Sequence, residues 1–384
     1  MFSIKVLNIF WGFFAGIAQF GTRLDKLNNE SDFDIVNLLI LSKNWRTDSN
    51  AINKLKNKRI IYLSSRLDFS WIWKLKHIIQ NLKPNLILTH GFNGHIVATI
   101  EKFLFSHNIA MICTNHGLYH APTRLHKIVE PFYNLFTLFH IKHNVLGVVC
   151  VSHSIKQYLV EHGVEPSKIH VIYNGIEDRP PSPPDIRLKI RREFRLNESD
   201  ILIGSTSRLE PIKGLKYLIE AFATLSVNYS NIKLVFWGSG PCEHELRNLA
   251  KIKGLSARIF FAGFRSDIDS CLSAIDIFVL PSLAEYHSIG LLEAMRAAKA
   301  IVSTNVGGNC ETVRHGIEAL IVPPADVDAL AKSIKILIDD YALRENLGRR
   351  ARERFLSNFT LDVMSRNYSN YLRSIASISR QKFS

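Results

Sequence analysis

Two glutamates eight residues apart, Glu285 and Glu293, lie in a segment suited to binding a long polar ligand. The apolar run IDIFVLP before them is typical of a buried parallel strand, and LLEAMRAAKA after Glu285 has helical spacing. This pattern predicts a strand, a loop that carries Glu285, and a helix with Glu293 about two turns inside it. The N-terminus of such a helix offers unpaired N–H groups and a positive dipole end to a phosphate. A nucleotide sugar has both the hydroxyls and the diphosphate that this arrangement would bind.

Two cations, Arg208 and Lys213, follow a second apolar run, ILIGST, and precede a second helical run. A helix dipole disfavours cations at the N-terminus, so their presence there indicates an anionic ligand. Arg208 would bind phosphate oxygens through its planar guanidinium, and Lys213 would act as a compact charge. Because two fixed cations can neutralise a diphosphate, we expect neither a metal ion nor a cofactor.

Glycines follow two further predicted strands. Gly238, Ser239 and Gly240 form a turn after KLVFW, where small residues allow a ribose or base to approach the backbone. Near the N-terminus, the strand VLNIF is followed by residues 12–21, which we predict to be a loop. Gly16 in that loop would lie near the donor.

The order and spacing of several short motifs resemble the retaining glycosyltransferases of group 1 (family four), which have the two-domain GT-B fold. The resemblance covers residues 145–365 densely and the first 145 residues loosely. The matching motifs are Ser207-Arg208-Leu209 with Lys213-Gly214, the Gly238–Pro241 turn, Pro281-Ser282 with Glu285 and Glu293, Gly307-Gly308 with Glu311, Pro323-Pro324, and the segment 149–177.

The resemblance implies a role for each residue of the donor site. Arg208 and Lys213 would stabilise the leaving diphosphate, and Glu293 would bind the ribose hydroxyls. Glu285 would hold the sugar or stabilise positive charge at its reacting carbon. The segment Tyr286, His287, Ser288, Ile289 and Gly290 would line the donor pocket. Family members have glycine where Tyr286 stands, and glycine and proline where Ala298 and Ala300 stand, so sugar specificity is not implied.

Three histidines lie at the ends of predicted strands in the first half, where an open α/β sheet places ligand-binding residues. His116 follows MICTN, and the resemblance implies that it touches the transferred sugar. His90 ends LILTH and His153 follows VVCVS, and both are candidates for the acceptor side.

The length of 384 residues predicts two domains, each a doubly wound α/β unit. We predict an N-terminal acceptor-binding domain (1–178), a proline-rich linker (179–186), a C-terminal domain that binds the nucleotide sugar (187–362), and a final helix (363–384) that packs back on the first domain. The two domains are expected to face a central cleft. Five scattered cysteines indicate buried free thiols and a cytoplasmic location.

The formal net charge of +14 favours anionic partners. Lysine and arginine runs are short and no nucleic-acid-binding module occurs, so nucleic acid is not expected. The segment 120–145 mixes basic and aromatic residues at near-helical spacing, which suits either an interfacial helix at the inner face of a membrane or an ordinary core helix. The expected acceptor is a saccharide or a lipid-linked saccharide of surface polysaccharide or lipopolysaccharide synthesis.

Two alternatives to a glycosyltransferase stay open. One is another enzyme of the same fold, such as a nucleotide-sugar epimerase or a phosphorylase-type enzyme. The other is a nucleotide-sugar-binding homologue without turnover.

Overall fold

The computed structural model describes residues 3–12, 15–42, 49–65, 68–105, 109–117 and 124–383. The chain forms two compact units: unit 1 comprises residues 1–173 and 361–384, and unit 2 comprises residues 174–360. The corresponding boundaries predicted from the sequence are 178 and 362.

Unit 1 is built on a parallel sheet. Its described elements are β1 (Ile4–Trp11), α1 (Ala15–Leu24), β2 (Phe33–Ser42), α2 (Ser49–Lys54), β3 (Lys58–Leu63), α3 (Ser70–Leu82), β4 (Leu86–His90), α4 (Gly91–Phe105), β5 (Ala110–Asn115), α5 (Arg124–His143), β6 (Gly147–Cys150), α6 (His153–Glu161) and β7 (Ile169–Val171). The seven strands have the order β3-β2-β1-β4-β5-β6-β7. The order reverses between β1 and β4, and an open α/β sheet binds its ligands at such a switch point.

Unit 2 repeats this plan with six strands in the order β10-β9-β8-β11-β12-β13, all parallel. Its described elements are α7 (Pro184–Glu193), β8 (Ile201–Thr206), α8 (Leu215–Ser226), β9 (Ile232–Trp237), α9 (Glu243–Ile252), β10 (Ile259–Phe261), α10 (Ile268–Ala274), β11 (Ile277–Leu280), α11 (Ile289–Arg296), β12 (Ala300–Thr304), α12 (Asn309–Thr312), β13 (Ala319–Val322), α13 (Val327–Asp339) and α14 (Tyr341–Asn358). Here the switch point lies between β8 and β11.

The predicted fold class of two doubly wound parallel α/β units is confirmed. Its physical basis is visible in β2, where nine of the ten residues in FDIVNLLILS are buried because helices cover both faces of the sheet. The last helix, α15 (Leu361–Phe383), belongs to unit 1. Met364, Tyr368, Leu372 and Ile375 lie on one of its faces at helical spacing and are buried in the core of that unit.

Three local predictions differ from the structure. The predicted loop 12–21 is mostly helix α1. Phe20 and Leu24 are buried in this helix, and each burial stabilises it by about 1.5–3 kcal/mol. That gain exceeds the ~1 kcal/mol by which a glycine destabilises a helix. Helix α7 includes the end of the predicted linker, since proline is tolerated at a first helical position. Helix α11 ends at Arg296 because Ala298 adopts a left-handed conformation, φ 51°.

The segment 120–145 lies partly outside the described residues, and α5 accounts for 124–143. No helix in the described part of the chain is both long and apolar enough to cross a membrane. All five cysteines are free. Cys113, Cys150 and Cys271 are buried as predicted, whereas Cys242 is half-buried and Cys310 is exposed.

Candidate functional site

The predicted donor-site residues of unit 2 follow the carboxyl ends of three adjacent strands, β9, β8 and β11. Arg208 follows β8, and the 238–240 turn follows β9. Glu285 follows β11. The predicted cations and carboxylates therefore lie at the switch point of the sheet, the position that favours ligand binding.

Lys213 and Glu285 form an ion pair, with 2.6 Å between Lys213 Nζ and Glu285 Oε1. Their side chains are 21% and 9% exposed. Ser282 Oγ donates a second hydrogen bond to Glu285 Oε1 at 2.9 Å. A cation and a carboxylate held together at the start of a loop can contact adjacent anionic and hydroxyl groups of one ligand.

The loop with Lys213 is fixed to the loop with Glu285 by backbone contacts. Leu283 N–H donates to Ile212 O at 2.8 Å. Gly214 has φ +62°, and a Cβ there would lie 2.1 Å from Pro281 O. Glycine is therefore required at this position by both conformation and close packing.

Arg208 is 73% exposed and pairs with Glu210 at 2.8 Å. An exposed pair of this kind is weak and leaves the guanidinium able to change partners. The backbone beside it is rigid, because Leu209 N–H donates to Ser239 O at 3.0 Å. A Cβ on Gly238 or Gly240 would lie within 2.4 Å of a carbonyl oxygen of this loop. The two glycines therefore allow the two loops to pack closely, and this packing does not depend on a ligand.

The N-terminus of α11 packs on the end of β8. A Cβ on Gly290 would lie 2.8 Å from Thr206 O. Ser288 caps the helix by accepting from Leu291 N–H, so its hydroxyl already serves the helix end. Glu293, half-buried, is the fifth residue of α11 and so lies one turn inside it, not two as predicted.

The segment before α11 is held in place by buried contacts. His287 packs on Phe359 with the ring centroids 5.4 Å apart, and burial lowers the pKa of His287 to about 3. Asn174 Nδ2 donates to His287 O at 3.2 Å. Tyr286 and Ile289 are half-buried. The ring of His287 therefore lies in the interior and packs against other side chains.

Several buried polar atoms near these strand ends have no hydrogen-bond partner among the described residues. The atoms are Ser205 Oγ, Thr206 Oγ1, Ser207 Oγ, Trp237 Nε1 and Ser303 Oγ. Only Ser207 among these residues belongs to a motif identified from the sequence, although the positions of the others at the ends of β8, β9 and β12 could have suggested them. Buried polar groups are normally satisfied, so a bound ligand or water is expected here. Ser282 was likewise not predicted as a site residue.

The histidines of unit 1 are not equivalent. His90 Nδ1 lies 3.4 Å from His116 Nε2 at the ends of β4 and β5. His90 is 2% exposed, and burial lowers its pKa well below the usual value. His153 is exposed at the start of α6, with its ring 6.2 Å from that of Tyr173, so it is not part of this pair. Gly16 lies in the first turn of α1 rather than in a loop.

Pairs of aspartates at the spacing of a divalent-cation motif are engaged in other contacts. The chain contains three Asp-x-Asp triplets, at 32–34, 267–269 and 326–328. Asp32 bonds Arg373, Asp267 bonds Arg265, and Asp326 caps α13. In the described part of the chain, no group of three or more His, Cys, Asp or Glu side chains is arranged to hold a metal ion.

A cavity of about 420 Å³ in unit 2 lies apart from this site. It is bounded by the outer surfaces of α8 and α9, and Lys216, His244 and Ile252 are among the residues lining it. None of the predicted site residues lines it.

Comparison with known families gives two matches that together span most of the chain. The family of glycosyl transferases group 1 matches residues 186–354, and glycosyltransferase family 4 matches residues 39–179. The first match contains the Lys213–Glu285 pair and α11, and the second contains His90 and His116.

Curated relatives cover much of the chain at moderate identity. The putative glycosyltransferase EpsD of Bacillus subtilis (strain 168) is 28% identical over 78% of this chain and 80% of its own length. The N-acetyl-alpha-D-glucosaminyl L-malate synthase of Bacillus anthracis is 26% identical over 81% of this chain and 80% of its own length. The lipopolysaccharide core biosynthesis glycosyltransferase LpsE of Rhizobium meliloti (strain 1021) is 25% identical over 97% of this chain and 99% of its own length.

Among solved structures, Anabaena HepE in complex with UDP aligns with a TM-score of 0.82 at 19% identity, covering 96% of this chain and 100% of that chain. A further HepE structure contains UDP-glucose. At this identity the likeness concerns the fold, which is GT-B. With both halves matched by family models, the chain belongs to the group-1 glycosyltransferases of the GT-B fold, enzymes of the hexosyltransferase type.

Proposed function

We propose that the protein transfers a sugar from a nucleoside diphosphate sugar to a saccharide or lipid-linked saccharide, with retention of anomeric configuration. The observation that carries this proposal is the Lys213–Glu285 pair at the switch point of unit 2, next to the N-terminus of α11. The UDP and UDP-glucose complexes of HepE and the lipopolysaccharide role in the name of LpsE support the donor class and the pathway class.

In the proposed reaction the bond between the sugar's anomeric carbon and the diphosphate oxygen breaks. Negative charge develops on the diphosphate, where Lys213, Arg208 and the N–H groups at the start of α11 stabilise it. Glu285 stabilises the positive charge on the sugar, and Glu293 binds the ribose. The acceptor hydroxyl attacks from the same face and gives its proton to the leaving phosphate, which yields retention without a protein nucleophile.

The experiment is a panel of nucleotide sugars incubated with the full chain, with the release of free nucleoside diphosphate measured. A glycosyltransferase hydrolyses one donor or a few donors slowly, and the released sugar keeps the donor's anomeric configuration in an NMR spectrum recorded at once. An epimerase instead returns an isomeric nucleotide sugar. A non-catalytic homologue binds a donor and releases nothing.

A lipid-linked acceptor would place the enzyme at the cytoplasmic membrane surface, and the charge distribution supports this. Unit 1 has 23 Lys and Arg against 11 Asp and Glu, a net +12, whereas unit 2 has 25 against 23, a net +2. Helices α3, α4 and α5 of unit 1 pack side by side. They expose Trp73 (68%), Phe103 (86%) and Phe132 (69%), together with Leu135 and Phe139.

We name these five exposed side chains the aromatic surface, and we propose that it docks on an anionic phospholipid bilayer. Lys74 and Lys102 are exposed on the same helices, while Glu101 of α4 is buried. Exposed aromatic groups and lysines complement a negative headgroup layer.

Sedimentation with phosphatidylglycerol vesicles tests the membrane proposal. Binding should be weaker with phosphatidylcholine vesicles and should fall as salt rises, because headgroup charge contributes. Replacing Trp73, Phe103 and Phe132 with serine should abolish it. The control is Phe264→Ser, a 78% exposed aromatic of unit 2. Equal sedimentation of the triple variant and the control would contradict the proposal.

A further inference from the structure

A line of buried polar side chains crosses the sheet of unit 1 and ends at the half-buried His116. Asn37 Nδ2 donates to Asp25 Oδ1 at 2.8 Å, and Asn8 Nδ2 donates to Asn37 Oδ1 at 2.9 Å. His90 Nε2 lies 2.6 Å from Asn8 Oδ1, and His116 Nε2 lies 3.4 Å from His90 Nδ1. We call these five residues the polar line.

Strand register accounts for the line. Asn8 of β1 pairs directly with Asn37 of β2, and on its other side it pairs with Leu88 of β4. His90 is two residues beyond Leu88 and therefore points to the same face of the sheet. Asn8 and Asn37 are fully buried in strands where apolar residues are the rule. Burial of this kind is costly unless every group is hydrogen-bonded, and here the residues satisfy one another.

The carboxylate of Asp25 gives the line a direction. It accepts from Asn37, from Asn28 Nδ2 at 2.9 Å and from Lys56 N–H at 3.0 Å, so three donors surround it. Since a carboxylate only accepts, Asn37 must present its NH₂ group to Asp25 and its oxygen to Asn8.

The direction continues through both histidines. Asn8 turns its NH₂ group to Asn37 and its oxygen to His90, so His90 must carry its proton on Nε2. The bare Nδ1 of His90 then accepts from Nε2–H of His116. Burial lowers the pKa of His116 to about 4, so its ring is neutral near pH 7 and its Nδ1 has a free lone pair. The ring is also packed edge-on by Phe20, with centroids 4.7 Å apart.

We infer that Asp25, Asn37, Asn8 and His90 are positioning residues that hold His116 in the tautomer whose Nδ1 accepts a hydrogen bond from a substrate hydroxyl. This inference rests on the proposed function and on the role that the family resemblance implies for His116, a contact with the transferred sugar. It deepens that function, because an accepting Nδ1 selects a hydroxyl and discriminates against a phosphate or carbonyl oxygen at the same place. It also gives His90 a role through His116 rather than toward an acceptor.

The test is the tautomer of His116 in the full chain, labelled with ¹⁵N-histidine and observed by long-range ¹H–¹⁵N NMR near pH 7. Spectra of His116→Gln and His90→Gln assign the two rings. The inference expects both rings to be neutral with the proton on Nε2. A wild-type His116 that is protonated on Nδ1 overturns it.

Two variants test the direction of the line. Asp25→Asn keeps the size of the side chain but removes the acceptor-only end, and Asn8→Leu interrupts the line. Each should convert the single His116 tautomer into a mixture. The control, Asn28→Ala, removes a partner of Asp25 outside the line and should keep the single form. An unchanged tautomer in Asp25→Asn contradicts the inference even if Asn8→Leu does not fold.

Activity separates this inference from the proposed function. Asn8→Leu should lower kcat for donor hydrolysis about tenfold or more and leave binding of free nucleoside diphosphate unchanged, because that ligand lacks the sugar. Normal turnover with a mixed tautomer would refute positioning. If no nucleotide sugar is turned over by the wild type, the proposed function fails, whereas the NMR result still decides whether the polar line fixes the tautomer.

Discussion

Replacing Lys213 with alanine removes the cation that the structure places at the centre of the candidate donor site. Its Nζ lies 2.6 Å from Glu285 Oε1, and the two side chains are 21% and 9% exposed. Breaking a fully buried ion pair costs about 3–5 kcal/mol because the remaining charge is unpaired. Lys213 keeps some contact with water and Ser282 still donates to Glu285, so we expect a loss of about 1–3 kcal/mol in the free energy of unfolding.

The effect on catalysis should exceed this loss of stability. A group that stabilises charge developing in the transition state is worth ~10²–10³ in rate, so turnover of Lys213→Ala should fall by about that factor while the protein stays folded. Lys213→Arg should recover only part of the activity, because a planar fork replaces a compact ammonium group. The assay measures initial rates of nucleoside diphosphate release, and urea unfolding measures stability.

Lys216→Ala is the matched control. Lys216 is exposed on α8 and stacks on Tyr217, with Nζ 4.9 Å from the ring centroid. Its removal should leave turnover near the wild-type value. Arg208→Ala should also lower turnover, with a stronger salt dependence because Arg208 is exposed. Near-normal turnover in both Lys213→Ala and Arg208→Ala would refute the assignment of the diphosphate site.

The remaining predictions concern the two glutamates, the metal, one backbone strain and pH. Glu293→Gln should weaken binding of free nucleoside diphosphate, whereas Glu285→Gln should spare that binding and lower turnover; equal losses by calorimetry would refute this division. Excess chelator should leave activity intact, and a loss that Mg²⁺ or Mn²⁺ restores would contradict the fixed-cation mechanism. Ala298 has φ 51°, so Ala298→Gly should stabilise the fold by about 0.5–1 kcal/mol. Ala297 has φ −80°, so the control Ala297→Gly should destabilise the fold. A lower urea midpoint for Ala298→Gly than for Ala297→Gly would contradict this. Burial lowers the pKa of His287 from 6.5 to about 3. Below pH 6.5 the imidazole therefore takes up a proton in the unfolded chain but stays neutral in the folded chain. Stability should therefore fall from pH 7 to pH 5, and His287→Leu should flatten that slope; an equally steep slope in the variant would show that His287 does not contribute to it.

The sheets were predictable because their strands are apolar runs with few competing signals. Short apolar runs such as ILIGST and IDIFVLP, flanked by helical segments, are typical of buried parallel strands. The structure contains them as β8 and β11. Their connection to neighbouring loops also followed, since a parallel sheet gathers its carboxyl ends at one edge. This is why Lys213 and Glu285 were both identified and are in contact.

Elements that depend on tertiary packing were not predictable to the same degree. Glycines suggested a loop over residues 12–21, but burial of Phe20 favours the helix α1. A left-handed Ala298 ends α11 early, and nothing in the composition of LLEAMRAAKA indicates that. The polar line joins Asn8, Asn37 and His90, which lie far apart in sequence, so only strand register reveals it.

A crystal structure of the full chain with a bound nucleoside diphosphate most directly tests the position of the donor site. We expect the terminal phosphate beside Lys213 Nζ and the first N–H groups of α11, with the ribose hydroxyls on Glu293. Diphosphate density elsewhere in unit 2, for example between α8 and α9, with the Lys213–Glu285 pair unoccupied at saturating ligand, would contradict it.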